Sequence, residues 1–369
     1  MTISQSISNL LVALNGCREI SRQTICKLGS TVEHWVGDRK ALLGCCHRLA
    51  VSSGETLTIA NWLVGADLMA RDQRRRVRDK GARIITRFDA FYPSALLDLE
   101  LPPPVLYCRG SIPSHPAIAI VGSRKASRPN LETAQMFGRE LASSGITVVS
   151  GFARGIDQAA HRGALAAPRG TTVAILGCGI DVGYPSRSHL LADEIARVGA
   201  VISEFPLGTA PVKQNFPIRN RLIASMSIGT LVVQATVRSG SLITARLAMN
   251  LGRDVYGIPG PIFEPRSAGP NTLIRDGALL VQHPRDIIES LPIAAQDRLA
   301  QTGQAAAPSD REESDNRLLY KIPRGQLISV EKLAVETGLA ADQILRELLE
   351  LELEGLVRRC PGPTYCRSL

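Results

Sequence analysis

A phenylalanine, two arginines and an asparagine share the otherwise mostly apolar stretch FPIRNRLIASMS, residues 216–227. Guanidinium groups bind phosphate oxygens, and a phenyl ring offers a face on which a base can stack. The surrounding window, from Phe205 to Arg253, contains no Asp or Glu. Its cations are Lys213, Arg219, Arg221, Arg238, Arg246 and Arg253. A window of one charge sign predicts attraction to a phosphate backbone.

Three small-residue turns are candidates for anion binding. GSRK (122–125) follows the apolar run AIAIV, SGFARGID (150–157) follows ITVVS, and SGS (239–241) follows TLVVQATVR. Each turn stands between a predicted strand and a predicted helix, where free backbone N–H groups favour a negative charge. Two turns also have a simpler interpretation. GSRK can be a tight turn with a solvated arginine, and SGS can be an ordinary helix cap. The first two turns should share one crevice at the carboxyl ends of parallel strands.

Motifs for catalysis are weak in this sequence. Asp157 and His161 are four residues apart on a predicted helix, but a helix cap and a core histidine account for them without chemistry. GCGIDVG (177–183) misses the dinucleotide fingerprint, because its third glycine is one place late and no acidic ribose partner follows at the usual distance. The sequence GxxxxGK[ST] does not occur. Nicotinamide binding and P-loop hydrolysis are therefore not indicated, and no cofactor is predicted.

The elements that must position these residues form an α/β chain. Residues 1–85 place apolar clusters at helical spacing, which predicts a small helical domain. From residue 117 short apolar runs alternate with amphipathic helices, which predicts a parallel sheet covered on both faces over residues 86–292. Residues 293–316, rich in Ala, Gln and charge, predict a linker. Residues 317–369 have the outline of a winged helix, and the acidic residues of its third helix, DQILRELLELELEG, favour a protein contact over phosphate.

Composition limits the class of protein. The chain of 369 residues carries a net charge of +9, which favours an anionic partner. Eight cysteines are scattered without a CxxC pair, so we expect reduced thiols and no metal site. There is no signal-peptide pattern and no apolar run near the roughly 18 residues that a membrane span needs. We therefore expect a cytoplasmic protein without a membrane partner.

Seven motifs in unbroken order resemble the DNA-processing protein A family, also called DprA or Smf. They are GSRKAS, SGFARGID, LGCGIDVGYP, ISEFPLG, NFPIRNRLIASMS, RSGSLITARLA and GIPGP. The resemblance covers residues 84–290 and implies an extended Rossmann-like domain between an N-terminal sterile-alpha-motif-like domain and a winged-helix tail. It also implies a homodimer formed through the Rossmann domain. It further implies binding of single-stranded DNA, protection of incoming strands during natural transformation, and loading of the RecA recombinase.

The resemblance places DNA contacts on Arg124, on Lys213 and Phe216, and on the arginines of RNR. With the turns described above, the predicted DNA-binding residues are Ser123, Arg124, Lys125, Gly151, Arg154, Lys213, Gln214, Asn215, Phe216, Arg219, Asn220, Arg221, Ser239 and Ser241.

Two other functions compete with this hypothesis. The predicted fold also resembles that of nucleotide phosphoribohydrolases of the lysine-decarboxylase-like type, whose PGGxGTxxE motif carries the catalytic glutamate. The corresponding turn here, RSGSLITAR (238–246), contains no acid. A nucleotide-sensing module is the second alternative. Release of free base from a nucleoside monophosphate would distinguish the enzyme from a DNA-binding protein.

Overall fold

The structure is a computed structural model. It describes residues 3–17, 19–32, 39–62, 65–186, 188–296, 299, 328–337, 339–353, 357–360, 362 and 364–367. The chain divides into two compact units, residues 1–299 and 300–369. Most of the predicted linker and the first residues of the predicted tail domain, 317–327, lie outside the described residues. The domain boundaries at residues 85, 292 and 316 stay predictions.

The described residues of the N-terminal part, for which the sequence predicted a helical domain, form five α-helices. They are α1 (Ile3–Gly16), α2 (Arg22–Ser30), α3 (Arg39–Arg48), α4 (Ser53–Trp62) and α5 (Ala66–Arg78). Helix α2 begins where the Ser21 side chain accepts a hydrogen bond from the backbone N–H of Thr24, a favourable N-cap. The apolar faces meet in a buried cluster that continues onto Val105 and Tyr107. The helices therefore pack directly on the sheet that follows.

A nine-stranded sheet forms the centre of the first unit, in the order β1-β2-β6-β5-β4-β3-β7-β8-β9. The strands are β1 (Arg83–Thr86), β2 (Val105–Gly110), β3 (Ala117–Val121), β4 (Thr147–Ser150), β5 (Thr172–Leu176), β6 (Ala200–Ser203), β7 (Gly229–Val232), β8 (Asp254–Gly257) and β9 (Leu279–Leu280). The seven strands from β3 to β9 are parallel and confirm the predicted sheet. Strands β1 and β2 were not predicted; β2 pairs antiparallel with β6, and β1 pairs antiparallel with β2 at the edge of the sheet.

Helices cover both faces of the sheet. They are α6 (Arg128–Ser143), α7 (Ile156–Leu165), α8 (His189–Val198), α9 (Asn215–Ser225), α10 (Gly240–Asn250), α11 (Ala268–Arg275) and α12 (Pro284–Ser290). Alternate residues of β3 show the two faces: Ala119 and Val121 belong to the cluster that includes α9 and α10. Ile118 and Ile120 belong to the cluster that includes α6 and α7. This alternation is what a strand buried on both faces requires.

The strand order reverses between β3 and β7. From β3 the chain proceeds through β4, β5 and β6 in one direction, and it returns to β7, β8 and β9 on the other side of β3. At such a point the connections on the two sides diverge, and a crevice opens beyond the carboxyl ends of the strands. This topology creates the site described below.

The second unit contains a short three-stranded antiparallel sheet and two described helices. Its elements are β10 (Ile328–Ser329), α13 (Val330–Thr337), α14 (Ala341–Leu353), β11 (Val357–Cys360) and β12 (Thr364–Arg367), with the strands in the order β10-β12-β11. Leu333, Ile344, Leu348 and Tyr365 form its core. The arrangement agrees with the predicted winged helix. In neither unit is a described helix both long enough and apolar enough to cross a membrane.

Candidate nucleic-acid interface

A pocket of about 410 Å³ lies at the point where the strand order reverses. Its walls come from the turns that follow β3, β4 and β7 and from helix α9. Eight predicted site residues line it: Ser123, Arg124, Lys213, Phe216, Arg219, Asn220, Ser239 and Ser241. The tertiary structure thus brings together residues that are more than 100 positions apart in the chain.

The turns after β3 and β4 are joined, as the sequence predicted. Ser123 donates its backbone N–H to the carbonyl of Gln234 at 2.7 Å and accepts a hydrogen bond from the N–H of Ile156 at 3.3 Å. A Cβ at Gly122 would lie 2.6 Å from Cγ1 of Ile156, so this close approach of turn and helix requires glycine. Arg124, in the first turn, is held at the mouth of the pocket and remains exposed.

Phe216 is the aromatic centre of the site. The Arg124 Cζ lies 4.8 Å from the centroid of its ring, within the range of a cation–π contact. The Tyr184 ring lies 5.6 Å away, tilted by 41°. A Cβ at Gly177 would lie 2.9 Å from Cδ1 of Phe216, so the ring packs against the backbone just beyond β5. The ring is half-buried and forms part of the pocket wall, under a stacked guanidinium.

Arg219 is buried and bound to the backbone. Only 3% of the residue is exposed, and its Nη1 donates to the carbonyls of Gly151 and Ile175. It therefore links the carboxyl ends of β4 and β5. Burial lowers the pKa of its guanidinium to about 10, so the group stays charged at neutral pH. Nη1 of Arg219 is thus used inside the protein, although the residue also lines the pocket, and its contact with a DNA backbone stays a prediction.

Asp157 is the one carboxylate among the described residues that line the pocket. Its Oδ2 accepts a hydrogen bond from the backbone N–H of Ala153 at 3.2 Å, which fixes the turn before α7. The helix cap expected from the sequence is not formed, because the N-cap residue of α7 is Gly155 and no side chain caps the helix. Burial raises the pKa of this carboxyl to about 6, and the Arg219 charge opposes that rise. Asp157 therefore neutralises part of the buried arginine charge.

His161 does not form a pair with Asp157. Its Nδ1 lies 2.7 Å from Oγ1 of Thr172. Because that hydroxyl donates to the carbonyl of Val148, His161 must be the donor to it and carries its proton on Nδ1. Burial lowers the pKa of the ring to about 3. The residue is a neutral core histidine.

Arg221 points away from the pocket. Its Nη2 lies 2.5 Å from Oε2 of Glu204, which is 2% exposed, and its Nη1 donates to the carbonyl of Leu101 at 2.5 Å. The carbonyl of Glu204 in turn accepts a hydrogen bond from Arg22. Burial raises the pKa of Glu204, while the two arginines oppose the rise. Arg221 therefore joins α9 to the loop before β2 and lines a separate cavity, and its predicted contact with DNA stays a prediction.

Comparisons with known proteins identify the family. Residues 83–292 match the model of the DNA recombination-mediator protein A family. The chain belongs to this family. Residues 302–363 match the DprA winged helix domain.

Two bacterial proteins illustrate the similarity. Protein Smf of Escherichia coli K12 is 38% identical over 283 residues, which is 74% of each chain. DNA processing protein DprA of Streptococcus pneumoniae R6 is 40% identical over 202 residues, 54% of this chain and 71% of that one.

Two solved structures of the family are similar to this fold. The crystal structure of DNA processing protein A from Streptococcus pneumoniae has a TM-score of 0.67 at 30% identity and covers 79% of this chain and 99% of its own. The protein from Helicobacter pylori, described for its single-stranded DNA binding mode, has a TM-score of 0.51 at 30% identity and covers 57% and 94%.

The other predicted DNA-binding residues lie outside the lining of the pocket. Lys125, Arg154 and Gln214 are exposed but do not line the pocket, and Arg154 donates to the hydroxyl of Ser186 at 2.8 Å. Gly151 and Asn215 are buried. A Cβ at Gly151 would lie 2.7 Å from both Asp157 Oδ2 and Arg219 Nη2, so this glycine makes room for the two charged groups.

Helix α10 brings hydroxyl groups to the pocket, of which the sequence predicted only some. The Ser239 side chain caps the helix by accepting a hydrogen bond from Ser241, as the plain alternative proposed, and both residues also line the pocket. Thr236 and Thr244 line it as well and were missed. The position of Thr244, three residues after Ser241 on the same helix face, was a usable signal.

Proposed function

We propose that the protein binds single-stranded DNA in the pocket where the strand order reverses and acts as a recombination mediator. In this role it protects incoming single strands during natural transformation and delivers them to the RecA recombinase. Membership of the family and the relative described for its single-stranded DNA binding support the proposal. The observation that carries it is the stack of Arg124 on Phe216 at the mouth of a cationic pocket.

The chemistry of the pocket suits a strand with free bases. Arg124 and Lys213 offer cations to phosphate oxygens, and the hydroxyls of Ser239 and Ser241 lie at the N-terminus of α10, where an anion is favoured. The planar guanidinium of Arg124 and the ring of Phe216 offer stacking surfaces. Because a duplex hides the faces of its bases, a site that depends on stacking prefers single strands. Since every base has such a face, the site ignores sequence.

An enzymatic function is disfavoured by the arrangement of the acids. The turn that corresponds to the phosphoribohydrolase motif forms the start of α10 and contains no carboxylate. Asp157 is buried beside Arg219 and caps a turn. We therefore propose a binding protein. Release of free base from a nucleoside monophosphate, measured by chromatography, would contradict this.

Self-association is part of the proposal. Strand β9 is an edge of the nine-stranded sheet, and its Leu279 and Leu280 are both exposed. Although this strand is short, its exposed apolar side chains offer a surface on which a second chain can pack. The opposite edge, β1, begins with the exposed Arg83 and suits pairing less well. We propose that two copies associate through the β9 edge.

A gel-shift titration with single-stranded and duplex oligonucleotides of the same length tests the binding. We expect tighter binding of the single strand. We also expect the affinity to fall with salt, with a logarithmic slope of about 0.7 for each phosphate neutralised. Equal affinity for the duplex, or indifference to salt, would contradict the proposed function.

A further inference from the structure

Phe263 and Ile262 are apolar residues that are almost fully exposed to solvent. Their exposures are 92% and 83%, in a turn between β8 and α11 that we call the 260–267 turn. Phe263 is the most exposed large hydrophobic residue in the described part of the chain. The sequence contains only seven phenylalanines, and an aromatic ring left in solvent is most useful when it has a partner to stack on.

The backbone fixes the position of this turn. The N–H of Glu264 bonds to the carbonyl of Pro261 at 3.1 Å, and the N–H of Ser267 bonds to the carbonyl of Glu264 at 2.8 Å. The Asn271 amide holds both the N–H and the carbonyl of Gly260, at 3.1 and 2.9 Å. These hydrogen bonds hold the turn that carries Ile262 and Phe263 in a defined conformation.

The turn lies beside the proposed DNA pocket. Ala235 donates its N–H to the carbonyl of Arg266 at 2.7 Å and accepts the N–H of Gly269 at 2.8 Å. The next residue, Thr236, lines the pocket. The pocket and the 260–267 turn both lie beyond the carboxyl ends of the parallel strands. A strand that leaves the pocket towards β8 therefore meets this turn.

The charges around the turn suit a polyanion. Arg238 is exposed in the connection before α10. Within the turn, the Glu264 carboxylate lies 3.5 Å from Nη1 of Arg266, so its charge is compensated locally. A phosphate chain could therefore run past the turn without meeting an unpaired acid from it.

We propose that Phe263 is a second stacking platform for single-stranded DNA, an inference that rests on the proposed function. Phe216 packs against Gly177 just beyond β5, and Phe263 follows β8, four strand positions away in the order β5-β4-β3-β7-β8. At about 4.8 Å between neighbouring strands, the carboxyl ends of β5 and β8 are about 19 Å apart. At a stacked spacing of about 3.4 Å, about six nucleotides cover that distance. One strand of modest length engages both aromatics.

The test compares oligothymidylate of about 15 nucleotides with an abasic oligonucleotide of the same phosphate count, by fluorescence anisotropy. Phe263→Ala should weaken binding of the thymidylate about tenfold, with an unchanged salt slope, and leave binding of the abasic strand unaltered. Phe263→Tyr should restore binding. The control is Phe91→Ala. Phe91 is also an exposed phenylalanine, at 71%, but it lines a pocket at the amino ends of the parallel strands.

The outcomes separate the inference from the proposed function. If the unaltered protein fails to bind the thymidylate, the proposed function fails and the inference with it. If it binds, and Phe263→Ala binds equally well or loses equal affinity for both strands, only the second platform is wrong. If Phe263→Ala lowers the molar mass in light scattering, the turn serves contact between two copies, and the inference is also overturned.

Discussion

Arg219 and Asp157 flank the α-carbon of Gly151, and a Cβ at that glycine would lie 2.7 Å from Nη2 of the arginine and 2.7 Å from Oδ2 of the aspartate. The two buried charges are thus held together just beneath the pocket. This arrangement gives Arg219 a structural role: its guanidinium ties the ends of two strands to α9.

Replacing Arg219 should damage folding more than phosphate binding. Arg219→Met leaves Asp157 buried without its partner and two carbonyls without their donor, so we expect a loss of about 3–5 kcal/mol in the free energy of unfolding. Urea denaturation measures it. The control is Arg285→Gln, an exposed arginine of α12, which should change stability by less than about 0.5 kcal/mol. A stable Arg219→Met protein with a reduced salt slope would instead support direct contact with DNA.

Arg124 and Phe216 should contribute different forces to binding. Arg124→Ala removes a phosphate donor, so we expect weaker binding and a salt slope lower by about 0.7. Phe216→Ala removes a stacking surface, so we expect a loss of about 1–3 kcal/mol in binding free energy with an unchanged slope. Anisotropy titrations over a salt series measure both.

The alternative for Phe216 is a purely structural role, since its ring packs against Gly177 and Tyr184. In that case Phe216→Ala would melt early and yet bind normally when folded. Melting curves recorded beside the titrations distinguish the two results.

His161 should make the protein less stable in acid. Its pKa is about 3 in the folded protein, against 6.5 when exposed, so the unfolded chain binds the extra proton first. This contribution is fully present above pH 6.5 and is lost as the pH falls towards 3, by up to about 1.4 kcal/mol per pH unit. Compared with His161→Gln, the unaltered protein should lose stability faster below pH 6.5. Parallel curves of unfolding free energy against pH would contradict this.

The winged-helix unit should be dispensable for binding single strands. Residues 1–299 form a compact unit of their own and contain every residue that lines the pocket. Helix α14 carries the acidic residues Asp342, Glu347, Glu350 and Glu352, which repel phosphate. A chain of residues 1–299 should therefore bind oligothymidylate with nearly the affinity of the full chain. If this shortened chain folds, as judged by circular dichroism, but loses most of its affinity, the tail contributes directly to the site.

Leu280→Lys should weaken self-association. The substitution places a charge on the exposed edge strand β9, which is a common way in which proteins block pairing of sheet edges. Light scattering at micromolar concentration should show a lower molar mass for the variant than for the unaltered protein. Leu190→Lys, on the exposed face of α8, is the matched control. Equal molar masses for all three proteins would show that two copies do not associate through the β9 edge.

The sequence by itself determined the parallel part of the sheet and the turns that follow its strands. Strands buried on both faces are short apolar runs, and β3, β4 and β5 have this pattern in the sequence. Glycine-rich turns after such runs indicated the crevice. Strands β1 and β2 were not predicted, because their pairing depends on contacts with each other and of β2 with β6, which is far along the chain.

Only the tertiary structure decided the roles of the arginines in RNR. Residues two apart on a helix point to different sides, whereas residues three or four apart share a face. Phe216, Arg219 and Asn220 therefore face the pocket together, while Arg221 turns to Glu204. The sequence shows that a cation is present but not which carbonyls surround it. Because Arg219 donates to carbonyls from two separate strand ends, it is buried in the pocket wall, whereas Arg124 and Lys213 are exposed at the same pocket.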